Sequence, residues 1–258
     1  MCLILFAVNQ HPKYKVIIAA NRDEFFNRPT LSSNFWKENK LILGGRDVQS
    51  QGTWLGIKKN GRFIAITNYR DPKNVNVKAK SRGELSKNFL IQGQSIPDFL
   101  TKVSENRHEY NGFNLLLSDD GFDSLYHYSN VSDKTTKINN GIHGLSNHLL
   151  NTSWPKIESG KIQISKIIKS DSIDVYKIVE MLKNGKTAPD KLLPDTGISH
   201  DLEKKLSPVF ISMKGYGTRC STVVLVDRSN KITFLEVSYN ENKEVIEENK
   251  YTIQLMTK

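Results

Sequence analysis

Cysteine is scarce: Cys2 and Cys220 are the only two in 258 residues. Two cannot form a disulfide framework, and a chain this long buries enough surface to fold without staples. A reducing compartment follows, and the expected location is cytoplasmic. Long apolar runs are also missing. The opening Met1-Cys-Leu-Ile-Leu-Phe-Ala-Val8 is apolar but short, lacks a charged flank and stops at Asn9-Gln-His-Pro12. It has neither the layout of a signal peptide nor the ~20 residues of a membrane span. An integral membrane protein is therefore not expected. No Pro/Gly/Ser-rich linker interrupts the chain, so residues 1–258 are expected to form a single domain.

Several chemistries lack their sequence marks. There is no glycine-rich phosphate loop, no dinucleotide fingerprint and no Gly-x-Ser-x-Gly elbow. The six histidines, at positions 11, 108, 127, 143, 148 and 200, show no metal-ligand spacing with a cysteine or carboxylate. Neither a metal nor an organic cofactor is expected. Negative charge is in deficit: the formal net charge is +10. The cations are dispersed, however. The densest groups, Lys58-Lys59 and Lys78-Ala-Lys-Ser-Arg82, fall short of the 5–8-residue basic runs of nucleic-acid patches. No nucleic-acid partner is expected. The charge favours a small anionic ligand.

Hydrophobic periodicity predicts an α+β fold. Leu3–Val8 and Tyr14–Ala20 read as buried strands joined at hairpin length. Trp54–Ile57 and Arg62–Thr67 flank an Asn60-Gly61 turn signal. Ser81-Arg-Gly-Glu84 resembles a capping box opening a helix to about Ile91, and Ser95 opens a second. Phe113–Leu117 and Ser124–Tyr128 read as strands, and residues 137–142 as a further hairpin. Helices are predicted over Pro155–Ile168 and Ser172–Leu182, then a polar loop to about Ser207. Thr222–Val226, Ile232–Val237 and Tyr251–Met256 complete the strands. Gly44-Gly45-Arg46-Asp47 reads as a glycine turn. Strands, a helix pair, strands, a helix pair and strands predict two mainly antiparallel sheets covered by helices, a four-layer αββα sandwich.

Cys2 is the most informative position. A small second residue is compatible with removal of the initiator Met1, which exposes an α-amine of pKa ~7.7–8.0 beside the thiol. Nucleophile and base then share one residue. On its own, a cysteine here reads as a small buried hydrophobe. Asn21-Arg22-Asp23-Glu24 closes the second strand, which a hairpin places beside Cys2. Arg22 could lower the thiol pKa and Asp23 hold the amine; the alternative is a turn with a surface ion pair. Asn68 and Asn147 end strands, where a carboxamide can donate to an oxyanion or simply terminate the strand. Arg219 precedes a strand and either orders the site or is a loop cation. Cys220 alternates into that strand and reads as core.

An ordered set of motifs runs along the chain. It comprises Met1-Cys2, Ala20-Asn-Arg-Asp-Glu-Phe25, Arg28-Pro29, Gly44-Gly-Arg-Asp47, Gly52-Thr-Trp-Leu-Gly56 and Thr67-Asn-Tyr-Arg70. Ser81-Arg-Gly-Glu-Leu85, Gly144-Leu-Ser-Asn147, Trp154-Pro-Lys156 and Tyr216-Gly-Thr-Arg219 follow. Together they resemble the NRDE family, also called transport and Golgi organisation 2-like, over nearly the whole chain. That family is similar to cysteine N-terminal-nucleophile (Ntn) hydrolases. The resemblance implies an Ntn-hydrolase-like fold, with Cys2 as nucleophile and Arg22, Asp23, Asn68, Asn147 and Arg219 as further catalytic candidates. One departure stands out: the hydrolases carry Arg-x-x-Asp, whereas Ala20 lies three before Asp23. Arg22, adjacent to Asp23, is expected to point to the opposite sheet face.

The resulting functional expectation is hydrolysis of a non-peptide amide, ester or thioester of a small acyl compound. The rival is a non-catalytic carrier of haem, lipid or acyl-CoA, a role the family resemblance brings with it. In that case Cys2, His143 or His148 are the candidates to touch haem iron. A hydrophobic anionic ligand suits either reading.

Overall fold

The computed structural model describes residues 2–256. Cys2–Val8 (β1) and Tyr14–Phe25 (β2) pair antiparallel, with Cys2 opposite Arg22 and Val8 opposite Val16. Four strands follow: Thr30–Phe35 (β3), Ile42–Asp47 (β4), Leu55–Lys58 (β5) and Phe63–Asn68 (β6). Gly83–Gln92 (α1) and Ile96–Glu105 (α2) come next, then Phe113–Ser118 (β7), Leu125–Ser129 (β8), Lys134–Lys137 (β9) and Gly141–Leu145 (β10). Pro155–Ile167 (α3), Val175–Leu182 (α4) and the short His200–Lys205 (α5) precede Ser212–Met213 (β11), Tyr216–Asp227 (β12), Lys231–Tyr239 (β13) and Val245–Gln254 (β14).

The strands form two seven-stranded antiparallel sheets. One runs β10-β1-β2-β12-β13-β14 with β11 beside β12; the other runs β3 to β9 in chain order. Period-two alternation sends each strand of the first sheet into two cores. Ile4, Phe6, Ile18, Ala20, Val224 and Phe234 meet the second sheet, whereas Leu3, Leu5, Ile17, Ala19, Val223 and Leu235 meet α3 and α4. Leu85, Phe89, Phe99 and Leu100 of α1 and α2 cover the second sheet. The αββα sandwich expected from the sequence is therefore present.

The local differences have physical causes. β2 runs on to Phe25 because β12 pairs with it as far as Tyr216, so the polar residues 21–24 are strand and not a turn. Gly44 and Gly45 lie inside β4. A Cβ at Gly44 would come 2.7 Å from the Leu55 carbonyl, and one at Gly45 would fall within the Trp54 indole, so close packing and not turning demands glycine there. Residues 137–142 are no hairpin: β9 belongs to the second sheet and β10 to the first, and the segment carries the chain between them. α1 opens without a side-chain cap; backbone bonds from Glu84 and Leu85 to the carbonyls of Ser81 and Arg82 start it instead. Ser95 does cap α2 through its bond with the Asp98 amide.

Candidate active site

The first sheet ends in a cleft. Cys2 heads β1, opposite Arg22, and paired antiparallel residues present their side chains to the same face. Arg22 extends over the Trp54 ring, 4.4 Å from its centroid. Its guanidinium donates to Thr30 Oγ1 at 3.2 Å and lies 3.7 Å from Asp47. Asp47 in turn accepts from Arg28 Nε at 2.6 Å, holding the Gly44–Asp47 segment against β2. Cys2, Arg22, Asp23 and Asn68 together line this cavity of about 580 Å³, with Glu24, Arg28, Trp54 and Arg82 among its other walls. Burial pushes the Cys2 thiol pKa up, although the residue keeps part of its surface open to the cleft. The resting group is thus a thiol that needs a base.

Asp23 points to the other face, as alternation requires. Its carboxylate accepts from Thr218 Oγ1 at 2.7 Å on β12, and the Thr218 hydroxyl also accepts from the Ile211 amide. Burial raises the Asp23 pKa, while the cation of Lys156 and the Thr218 bond pull it back. Lys156, in the first turn of α3, is buried; its Nζ donates to the Leu206 carbonyl at 3.2 Å. Burial depresses its pKa to about 8, with Asp23 acting in the opposite sense. In the sequence Lys156 stands out only as part of the Trp154-Pro-Lys156 motif. A lysine in the apolar register of a helix is the signal that could have marked it.

Asn68 closes β6 and reaches the cleft wall. Asn147 is fully buried beside it. Its Nδ2 donates to the Asn68 carbonyl at 3.0 Å, and its own carbonyl accepts from the Arg70 amide. The preceding Ser146 donates to the Cys2 carbonyl at 3.0 Å, its hydroxyl also lying 3.2 Å from Asn147 Oδ1. Asn147 therefore grips the Asn68 backbone and lines a neighbouring lobe with Asn68 and Tyr110, not the Cys2 cleft itself. Arg219 stands apart. It sits at a bulge of β12, and its guanidinium donates to the carbonyls of Phe25 and Arg28 at 2.8 and 3.1 Å and lies over Phe26.

Cys220 is core, as expected. It pairs with Arg22 from the side opposite Cys2, so one strand separates the two thiols. Two strand spacings come to about 9.5 Å between Cα atoms, beyond the ~7 Å limit for a disulfide. The histidines suggested for haem iron are engaged at both ring nitrogens. His148 meets Tyr69 Oη and Thr152 Oγ1 at 2.9 Å each, and His143 meets the Asn139 carbonyl and Asn151 Nδ2. Among the described residues no cluster of three or more metal-ligating side chains occurs, and no helix is long and apolar enough to cross a membrane.

An N-terminal strand carrying a cysteine into a cleft between two antiparallel sheets, each backed by helices, defines the N-terminal-nucleophile hydrolase fold. The fold matches the C2A mutant of conjugated bile acid hydrolase from Clostridium perfringens with a TM-score of 0.50 at 13% identity, covering 97% of this chain and 92% of that one. Residues 1–241 match the family Transport and Golgi organisation 2, and the chain belongs to it. It is 36% identical to the Transport and Golgi organization 2 homolog of Mus musculus and to the human protein, over 92% of this chain and 93% of each relative. Identity to Transport and Golgi organization protein 2 of Drosophila melanogaster is 29%, again over 92% of this chain.

Proposed function

We propose that the protein is an N-terminal-cysteine hydrolase acting on an amide, ester or thioester of a small acyl compound. The observation that carries this reading is the placement of Cys2 at the head of β1, in register with Arg22, inside a cleft shared with Asp23 and Asn68. Met1, whose removal the mechanism requires, lies outside the described residues.

In this reading the α-amine of Cys2 accepts the thiol proton, and the thiolate attacks the acyl carbonyl. Asn68 donates to the developing oxyanion, and such a donor contributes about 2.7–4 kcal/mol in acyl transfer. Asn147 holds Asn68 in place through its backbone. The amine returns its proton to the leaving group and then activates the water that releases the acid. Arg22 takes the place of the hydrolases' arginine. Residues 20 and 22 point the same way, so an arginine at 22 reaches the Cys2 face although Ala20 occupies the expected position. Arg219 is a positioning residue that fastens the 25–28 turn at the cleft rim. The substrate's apolar part has a place in the adjoining lobe of about 910 Å³, lined by Phe25, Leu206, Met213 and Tyr216.

The test is intact mass followed by turnover. Protein from a cell with normal methionine processing is expected to lack Met1, to be alkylated by iodoacetamide at Cys2, and to release p-nitrophenol from short-chain acyl esters. Cys2→Ala is expected to abolish that release. Retained Met1, or full turnover in Cys2→Ala, overturns the reading.

A further inference from the structure

The charged side chains around the cleft are mostly matched. Arg28 and Arg22 face Asp47, Lys80 pairs with Glu109 at 2.6 Å, and Arg70, behind the cleft, pairs with buried Glu203 at 2.6 Å. Arg82 differs. It stands immediately before α1, and NH1 donates to the Gly112 carbonyl at 3.0 Å. Among the described residues no carboxylate lies within ion-pair distance of it. Burial lowers its pKa, and it shares the lining of the cavity with Cys2 and Glu24. Glu24 is itself engaged, accepting from the Phe25 amide at 2.9 Å.

Arg82 also occupies a singular position. It and Asn68 line all three adjoining lobes: the polar Cys2 cavity, the more apolar lobe of Leu206 and Met213, and the lobe beside Tyr110 and His108. A guanidinium half-withdrawn from water, with no carboxylate partner among the described residues, has forked donors to offer an anion. Its location beside Asn68 places that fork near the point where the substrate carbonyl would sit.

We propose that Arg82 is the anion-binding residue of this cleft, holding a carboxylate or phosphate oxygen group of a substrate whose apolar part occupies the Leu206–Met213 lobe. The assignment rests on the proposed acyl-substrate reading for the location of the site, but binding itself needs no reaction at Cys2. It makes Arg82 the specificity-determining residue that selects anionic amphiphiles over neutral ones.

The experiment is equilibrium titration of the full chain with three probes of equal chain length: octanoate, octyl phosphate and neutral octanamide. Trp54 in the cleft wall supplies a fluorescence signal. At least one anion is expected to bind about tenfold more tightly than octanamide, and the tighter anion identifies the group. The preference should persist in Cys2→Ala and Arg82→Lys and fall to roughly unity in Arg82→Gln. Absence of saturable anion binding, no preference over octanamide, or a preference that survives Arg82→Gln overturns the assignment. Should Arg82→Gln fail to fold, phenylglyoxal modification of the wild type decides: octanoate or octyl phosphate must protect Arg82, and unprotected modification overturns the proposal. Failure of the hydrolytic reading appears instead in Cys2 alkylation and ester turnover, which neither measurement uses.

Discussion

At the scale of single residues, alternation along one strand sorts the polar motif of β2 into three tasks. Arg22 faces the cleft and Trp54, Asp23 faces Thr218 and the helix layer, and Asn21 faces α4. Lys156 completes this pattern from α3. Its pKa is depressed from 10.5 to about 8, so the folded protein releases the proton before the unfolded chain does. Stability attributable to this group therefore rises between pH 8 and 10.5 and is flat below pH 8. The full shift corresponds to about 3 kcal/mol. The wild type should gain that much in urea unfolding, relative to Lys156→Met, as the pH is raised across this window. Parallel curves for the two proteins would show that the lysine is not held in a depressed state.

At the scale of elements, Asn21 is the joint between the sheet and the helix layer. Its Nδ2 donates to the Leu182 carbonyl at the end of α4 and to the Val209 carbonyl, at 2.9 and 2.8 Å, while Ser221 donates to its Oδ1. Asn21→Ala strips two buried carbonyls of their partner, at about 1–3 kcal/mol each. The expected result is a loss of roughly 2–5 kcal/mol in chemical denaturation with little change in iodoacetamide reactivity of Cys2. The segment 189–206 is tied down in a comparable way: Arg70 pairs with Glu203, which also accepts from the Thr196 amide at 3.0 Å. Replacing Arg70 by Met leaves a buried carboxylate without its cation, a change that typically destabilises by about 3–5 kcal/mol. Limited proteolysis of Arg70→Met should cut first within 189–206; cleavage at the wild-type sites and rate would refute this fastening role.

Across the whole molecule, a hydrogen-bond chain crosses from one sheet to the other. His127 Nε2 meets Asn114 Oδ1 at 3.2 Å; Asn114 donates to Thr67 Oγ1; Thr67 donates to the Ser146 carbonyl at 2.7 Å; and Ser146 donates to the Cys2 carbonyl. Burial holds the His127 pKa at about 4, so the ring stays neutral in the folded state while the unfolded chain protonates near 6.5. The unfolded state binds the proton first, and stability falls as pH drops from 6.5 to about 4. His127→Gln cannot titrate, so its stability should decline less steeply across this window, by up to about 3 kcal/mol in total. Equal slopes in acid unfolding curves would overturn the assignment. The two sheets and the cleft they frame thus share a buried polar connection that is sensitive to acid.

The fold was legible in the sequence because it follows from local physics. Period-two runs such as Phe63–Thr67 and Leu3–Val8, the Asn60-Gly61 turn and the Ser95 cap are specified by residues close to one another in the chain. The ordered motifs likewise singled out Cys2, Arg22, Asp23 and Asn68, which the tertiary structure gathers in one cleft. What the sequence could not determine depends on distant partners. β12 converts the polar end of β2 from turn to strand, and the passage from β9 to β10 changes sheets where the local pattern reads as a hairpin. Lys156 comes under the influence of Asp23, and Arg82 has no carboxylate partner among the described residues, because residues far apart in sequence converge at the sheet ends. Periodicity encodes which side of an element is buried; only the packed layers decide which charges face each other across it.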